Sequence, residues 1–179
     1  MRVVAGTLGG RRLAVPPGRS TRPTSEMLRA AIFNSLDARG ALDGATVADL
    51  FAGSGALGIE ALSRGASTVT FVESDRRAAR VLEENVTALS LTSRAIVEVL
   101  DVCTWAPRHR GALDVVLADP PYRFDRWDDV FAALVTFPAS LVVAESDRPL
   151  DAAGWDTVAV RRHGGSVISQ LRPRGATTA

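Results

Sequence analysis

The sequence has a single cysteine, Cys103, and two histidines, His109 and His163, among its 179 residues. One thiol excludes an internal disulfide, and so few thiols and imidazoles argue against a metal site. No apolar run approaches the roughly 18 residues that a membrane span needs. The first ten residues, MRVVAGTLGG, also lack the apolar core of a signal peptide. We therefore expect a cytoplasmic protein with no metal and no membrane partner.

Lysine is absent as well, and all 21 basic residues are arginine. Residues 1–40 contain seven Arg against Glu26 and Asp37, a net charge of about +5. Residues 41–156 contain ten Arg against eighteen acids, about −8, and residues 157–179 contain four Arg and no acid, +4. Basic ends around an acidic middle favour a protein whose terminal segments bind a polyanion while the core has a different function. The alternative is that both ends are solvated charged segments that bind nothing.

The first forty residues differ in pattern from the rest. The runs RVVAG and RRLAV lie on either side of TLGG and predict a basic β-hairpin. PPGRSTRP predicts a linker, and TSEMLRAAIFNSLDARG predicts a helix with Thr24 or Ser25 as its cap. We expect residues 1–40 to form an N-terminal extension and residues 41–179 to form the main domain.

From residue 45 onward, strand patterns alternate with helix patterns. The apolar runs ATVADLF, STVTFVE, AIVEVL, LDVVLAD and SLVVAES predict five strands with helical segments between most of them. The last two runs, WDTVAVRRH and SVISQLR, follow each other without a helix and predict an antiparallel pair. The pattern indicates an α/β fold with a seven-stranded, doubly wound and mostly parallel sheet.

A glycine-rich turn follows the first strand of this domain. Gly53, Gly55 and Gly58 fit the spacing G-x-G-x-x-G, and Glu73 ends the second strand twenty residues after Gly53. Glycines let the backbone approach a ligand, and an acid at this place can bind two ribose hydroxyls. The turn therefore predicts a nucleotide-containing ligand beyond the carboxyl ends of the strands.

Two acids decide which nucleotide fits. NAD or FAD would match the glycine spacing literally, but Asp49 at the strand end would repel a pyrophosphate and favours a cationic ligand. Asp119 ends the fourth strand, which we expect beside the first, so both acids would flank one crevice. Paired carboxylates suit the sulfonium and ammonium groups of S-adenosylmethionine. An NAD-dependent oxidoreductase stays as an alternative.

The stretch ADPPYRF after the fourth strand predicts how an amine could be methylated. The carboxylate of Asp119 can accept one hydrogen of an exocyclic amine, and the backbone carbonyl of Pro120 can accept the other. The two prolines stiffen the loop, and Tyr122 offers a flat face for a base that has left its helix. Phe124 and Trp127 either extend this stacking surface or belong to the core, and core is the favoured alternative.

Several stretches together carry a family resemblance: RVVAG…GGRRLAVP, TRPTSEMLRAAIFN, DLFAGSGALGIEALSRGA, TVTFVESD and DVVLADPPY. The chain resembles the Rossmann-like class I S-adenosylmethionine-dependent methyltransferases. Within them it resembles the bacterial 16S ribosomal RNA guanine-N2 methyltransferases of the small-subunit methyltransferase D type. The resemblance implies methyl transfer to N2 of a guanine in 16S rRNA, by resemblance guanine-966, with S-adenosylhomocysteine as product.

The resemblance also implies roles for particular residues. It implies that Glu73 binds the ribose, Asp101 binds the adenine amino group, and the turn 49–55 contacts the methionine part. The full set of cofactor residues expected on this basis is Asp49, Phe51, Gly53, Gly55, Glu73, Ser74, Asp101, Val102 and Asp119.

The expected RNA contacts lie in the basic N-terminal extension, at Arg2, Arg11, Arg12 and Arg22. The substrate implied by the resemblance is 16S rRNA within a protein-bound or assembled small subunit, with ribosomal proteins as candidate partners. We expect the enzyme itself to be a monomer.

Two alternatives remain beside the oxidoreductase. Adenine-N6 methyltransferases share DPPY, although nothing between Gly55 and Asp119 could hold a DNA-recognition domain, and a non-enzymatic RNA-binding module would not need these acids. We assign no chemistry to His109 or His163, which we expect to be exposed. Three further residues, Trp105, Trp155 and Cys103, are interpreted as packing residues.

Overall fold

The computed structural model describes residues 1–16, 24–121, 124–135 and 139–175. Its seven strands are β1 (Thr46–Leu50), β2 (Thr68–Val72), β3 (Ala95–Glu98), β4 (Leu113–Ala118), β5 (Ala139–Ser146), β6 (Trp155–His163) and β7 (Ser166–Pro173). The α-helices are α1 (Thr24–Asp37), α2 (Ala56–Ser63), α3 (Arg76–Ala88), α4 (Val102–Trp105) and α5 (Trp127–Leu134). Short 3₁₀ segments cover Gly6–Leu8 and Ala106–Arg108. Within these ranges, no helix is long and apolar enough to cross a membrane.

All seven strands form one sheet in the order β3-β2-β1-β4-β5-β7-β6. The pairs from β3 through β5 are parallel, whereas β7 is antiparallel to both β5 and β6. The predicted α/β sheet with its antiparallel C-terminal pair is therefore confirmed. The chain starts at the centre with β1, builds outward to β3, and then crosses to β4 on the other side. This reversal separates the loops that follow β1 and β4 and opens a crevice at their carboxyl ends.

Apolar side chains fill both faces of the central strands, which explains their nearly continuous apolar runs. On one face α1, α2 and α3 cover a cluster that includes Phe33, Ile59 and Phe71. On the other face α4 and α5 cover a cluster that includes Trp105 and Trp155. These two tryptophans are 4% and 1% exposed, and Cys103 packs against the same cluster, so all three are packing residues as expected.

The predicted N-terminal hairpin is present as a short antiparallel pairing with one bridge, between Arg2 and Arg12. Beyond this bridge, side chains of α2 bind the backbone of the first run. Glu60, which is fully buried, accepts the N–H groups of Val4 at 2.6 Å and Ala5 at 3.0 Å.

Two further side chains of the helices bind the same segment. Ser63 accepts the N–H of Leu8 at 2.9 Å. Asn85 of α3 accepts the N–H of Ala14 at 2.8 Å, and its amide nitrogen donates to the carbonyls of Ala14 and Ser54 at 3.0 and 2.9 Å. Asn85 therefore joins the N-terminal segment to the glycine turn. The division of the chain at residue 40 stays a prediction.

The first helix, α1, begins at Thr24. Thr24 and Ser25 thus fall in the first turn, and a capping role for either stays a prediction. The predicted linker falls almost wholly on residues outside the described ranges.

Candidate active site

A cleft of about 530 Å³ opens at the carboxyl ends of β1, β4 and β5. Its wall combines the ends of these strands with the N-terminal segment, one face of α1, and the turn between β6 and β7. The lining residues include Val15, Pro16, Asp49, Phe51, Gly53, Asp119, Pro120, Phe124, Trp127, Glu145, Ser146, Asp147, His163, Gly165 and Ser166. Asp49 and Asp119 thus flank one crevice, as the strand order predicted.

Asp49 is a buried carboxyl group at the end of β1, with 1% of its surface exposed. Burial raises its pKa well above the usual value, and the negative charges of Asp119 and Glu73 raise it further. A hydrogen bond from the N–H of Gly58, at 2.8 Å, acts in the opposite direction. Among the described residues no arginine forms an ion pair with it. The site therefore contains an acid that a cationic ligand would stabilise in its charged form.

The glycine turn is left-handed at Phe51 (φ 62°), Gly53 (φ 58°) and Gly55 (φ 82°). For Phe51 this conformation is unfavourable by about 1–2 kcal/mol, the kind of backbone strain that recurs in binding turns. The turn holds the Phe51 ring edge-on against Phe124, with 4.9 Å between ring centroids.

Only the first of the three pattern glycines lines the cleft. A Cβ on Gly55 would come within 2.3 Å of a methyl group of Leu82, and one on Gly58 within 2.2 Å of the ring of Phe71. The second and third glycines are therefore required for helix-to-sheet packing. Gly53 therefore lies where a ligand could approach its backbone, and the expected contact of Gly55 with the cofactor stays a prediction.

Glu73 lies behind the turn at the end of β2 and is 6% exposed. One carboxylate oxygen accepts the N–H of Gly53 at 2.7 Å, and the other accepts the N–H of Asp75 at 2.8 Å. Each oxygen keeps a second lone pair that could accept from a hydroxyl. Glu73 is not part of the cleft lining, so its contact with a ribose stays a prediction.

The other residues expected around the adenosine also lie outside the cleft. Ser74 is exposed, and Val102 is buried at 3%. Asp101 is the N-cap of α4 and accepts the N–H of Cys103 at 3.0 Å. This four-residue helix was not predicted because it is too short for a periodic pattern.

Asp119 and Pro120 come directly after β4 and line the cleft. Asp119 is exposed and Pro120 is half-buried. Tyr122 lies outside the described residues. Trp127 is 4% exposed and belongs to the core, as favoured, whereas Phe124 is half-buried and lines the cleft between Phe51 and Trp127.

The end of β5 and the turn between β6 and β7 complete the cleft, and neither was predicted from the sequence. They contribute Glu145 and His163, among other residues. Glu145 ends a strand as Asp49 and Asp119 do, and this shared position was the signal that could have found it. The expectation that both histidines are exposed is wrong, because the turn places His163 at the cleft and His109 packs 4.7 Å from the Trp105 ring, both half-buried.

The arginines expected to contact RNA lie on the N-terminal segment beside the cleft. Arg2, Arg11 and Arg12 are exposed, and Arg11 donates to the carbonyl of Ala88 at 3.4 Å. Arg22 lies outside the described residues. In the part of the chain that is described, no group of three or more His, Cys, Asp or Glu residues could hold a metal ion.

Known proteins of the same shape and similar sequence cover nearly the whole chain. The family model Conserved hypothetical protein 95 matches residues 1–171. The ribosomal RNA small subunit methyltransferase D of Haemophilus influenzae is 34% identical over 160 residues, which are 84% of this chain and 81% of that protein. The structure of yhhF from Escherichia coli has a TM-score of 0.85 at 30% identity and covers 97% of both chains.

A more distant structure bears on the fold alone. The magnesium protoporphyrin IX methyltransferase of Synechocystis PCC 6803, solved with bound SAM, has a TM-score of 0.69 at 14% identity and covers 87% of this chain and 86% of its own. The class I methyltransferase fold expected from the resemblance is therefore confirmed. The match over residues 1–171 and the close relative together show that the chain belongs to the Conserved hypothetical protein 95 family and to the ribosomal RNA small subunit methyltransferases D.

Proposed function

We propose that this protein transfers a methyl group from S-adenosylmethionine to the exocyclic N2 of a guanine in 16S rRNA, by resemblance guanine-966, within the small ribosomal subunit. The observation that carries the proposal is one cleft that combines Asp49, a buried acid with no basic partner among the described residues, with a rigid pair of acceptors at Asp119 and Pro120. The membership of the family supports the choice of ribosomal RNA.

The donor set of the cleft fits S-adenosylmethionine, which supplies a methyl group bonded to a positively charged sulfur. Asp49, Phe51 and Gly53 would bind the methionine part, and the raised pKa of Asp49 is the reason that a cation fits there. Glu73 would bind the ribose and Asp101 the adenine. No residue set for a metal is needed, because the sulfonium already activates the methyl group.

Asp119 and Pro120 would orient the amine rather than act as a strong base. The lone pair of an exocyclic amine is delocalised into the ring, which makes the nitrogen a poor nucleophile. The Asp119 carboxylate accepts one N–H and the Pro120 carbonyl accepts the other, so the nitrogen lone pair points at the methyl carbon. The nitrogen–carbon bond forms as the carbon–sulfur bond breaks, and the methylated amine then loses one proton to water.

The basic N-terminal segment would hold the RNA beside the cleft. Arg2, Arg11 and Arg12 are exposed near the cleft wall formed by Val15 and Pro16, and Arg22 would extend the same contact with phosphates. Tyr122 would stack on the flipped base. We propose a monomer that acts in the cytoplasm on RNA carrying ribosomal proteins.

The test is methyl transfer from radiolabelled S-adenosylmethionine to small subunits from cells that lack this protein, followed by mapping of the labelled nucleotide. We expect label at N2 of one guanine, and less on naked 16S rRNA. Label at N6 of an adenine would contradict the proposal. In the same assay Tyr122→Ala should lose stacking worth about 1–3 kcal/mol, whereas Tyr122→Phe should keep most activity.

A further inference from the structure

A third carboxylate lines the cleft and has no part in the chemistry above. It belongs to Glu145, the last residue but one of β5, and it is half-buried. In the parallel pair of β4 and β5, Ala118 is the register partner of Ala144. Asp119 and Glu145 each come one residue later, on neighbouring strands that lie about 4.8 Å apart. The two carboxylates thus enter the cleft side by side.

One oxygen of Glu145 is fixed by a neighbouring strand. Ser166, the first residue of β7, donates its hydroxyl to Oε1 of Glu145 at 2.6 Å. Among the described residues Glu145 has no ion pair, and no other hydrogen bond holds its second oxygen. This carboxylate oxygen lines the cleft and can accept a hydrogen bond from an N–H group of a ligand.

The target base proposed above presents such a donor. The Watson–Crick edge of guanine carries N1–H directly beside the N2 amine, whereas N1 of adenine is an acceptor. If Asp119 and Pro120 accept the two hydrogens of N2, then N1–H is the next donor along the same edge. The acceptor next to Asp119 in the sheet is Glu145.

We infer that Glu145 accepts the N1–H of the target guanine and selects guanine over adenine, and that Ser166 positions Glu145. This inference rests on the proposed function. For guanine the carboxylate completes the hydrogen bonding of the edge. For adenine it would face the N1 lone pair, and two acceptors at contact distance exclude the base. DPPY is shared by enzymes that act on either base, so the selection has to come from another residue.

The inference predicts an exchange of preference in Glu145→Gln. If Ser166 donates to the amide oxygen, the amide NH₂ replaces the second oxygen and acts as a donor. This donor opposes N1–H of guanine and suits N1 of adenine. The ratio of guanine to adenine methylation should fall on the order of 10²-fold.

The measurement is single-turnover methylation of two sets of reconstituted small subunits, one with the natural guanine and one with adenine at the mapped position. Asp151→Asn is the matched control, because Asp151 is an exposed acid that lies outside the cleft lining. It removes one negative charge and should leave the ratio unchanged. Affinity for S-adenosylmethionine should stay at the wild-type value in both variants.

Ser166 supplies the second test. Ser166→Ala should lower the guanine-to-adenine ratio less than Glu145→Gln does, and Ser166→Thr should restore it because the hydroxyl is kept. A wild-type ratio in folded Glu145→Gln, or a drop in Ser166→Ala that Ser166→Thr does not restore, overturns the inference. Failure of the proposed function itself would be seen earlier, as wild-type enzyme that places no methyl group on N2 of guanine.

Discussion

The two sides of the cleft are built differently. On the side of β1 and β2, Asp49 and Glu73 are buried, and backbone N–H groups of Gly53, Gly58 and Asp75 fix their carboxylates. On the side of β4 and β5, the acids are exposed or half-buried, and the hydrogen bond that holds Glu145 comes from a side chain. The side proposed to bind the cofactor is therefore part of the folded core, whereas the side proposed to bind the target base is an open surface. Substitutions should change both stability and binding on the first side, and chemistry alone on the second.

The largest effect is expected on the open side, from Asp119→Asn. The amide keeps the size of the side chain but offers an NH₂ group to the substrate amine. Turnover should fall by roughly 10²-fold or more, about 2.7 kcal/mol of transition-state stabilisation, while RNA affinity and melting temperature stay the same. Single-turnover methyl transfer and thermal unfolding measure the two halves of this prediction. Full activity in the variant would remove Asp119 from the mechanism.

Asp49→Asn should give the opposite combination on the buried side. Loss of the negative charge should weaken S-adenosylmethionine binding by about 1–3 kcal/mol. The free energy of unfolding at neutral pH should rise, because the variant removes the cost of burying an ionisable carboxyl group and its amide oxygen can still accept from Gly58. Calorimetric titration and thermal unfolding measure the two effects. Unchanged affinity would place the cofactor elsewhere.

The pH dependence of stability provides a further check on Asp49. Its pKa is higher in the folded chain than in the unfolded one, so the folded protein binds more protons between the two values. The Asp49 contribution to stability therefore falls as pH rises from about 4 through the folded-state pKa. Affinity for the cationic cofactor should rise over the same range. Both slopes should be smaller in Asp49→Asn, and equal slopes in the two proteins would count against this origin.

Gly58→Ala tests whether the buried side of the cleft depends on core packing, and we expect an intermediate loss of stability. The new methyl group would lie 2.2 Å from the Phe71 ring, and overpacking of this kind is unfavourable by about 1–3 kcal/mol. Alanine returns up to about 1 kcal/mol through its helix propensity, so a net loss of stability is expected. Gly165→Ala in the β6–β7 turn is the control, since a Cβ there has nothing within 4 Å. Equal melting temperatures of the two variants would refute the packing argument.

The smallest effect is expected from Arg11→Ala combined with Arg12→Ala. If both residues contact phosphates, RNA affinity should fall and its dependence on salt should flatten by up to about one log unit per contact. Cofactor affinity should not change. A variant with wild-type RNA affinity at every salt concentration would show that these arginines are only solvated.

The sheet and the acids at its edge could be predicted because each follows from local sequence. Parallel strands buried on both faces give apolar runs, and an acid such as Asp49 or Asp119 at the end of such a run must lie at the carboxyl edge. Glu145 obeys the same rule, but its proposed role depends on the register of β5 against β4 and on the contact with β7, which the sequence does not show. The place of His163 depends on how the β6–β7 turn folds over the cleft, which is a tertiary property with no periodic signal.

The short N-terminal pairing could not be predicted for a related reason. Glu60 lies 56 residues from Val4 in sequence, and the sequence pattern gives no sign that its buried carboxylate would take the backbone donors of a hairpin. The packing role of Gly55 and Gly58 could not be predicted either, because Leu82 and Phe71 come close to these glycines only in the folded chain.

The contacts of Glu60, Ser63 and Asn85 also bear on how this protein can be recombined with its relatives. A chimaera that takes its first residues from another sequence would have to match those three side chains, or leave the buried carboxylate of Glu60 without the donors of Val4 and Ala5. A deletion of the segment removes the same two donors and leaves Glu60 with Arg64 at 2.8 Å and Arg29 at 3.7 Å as its partners, so a loss of stability is expected. In a chimaera, the basic N-terminal segment should therefore be taken from the same parent protein as α2 and α3. Its role in RNA binding is best dissected by point substitution at exposed arginines, since loss of the whole segment would be an effect on folding.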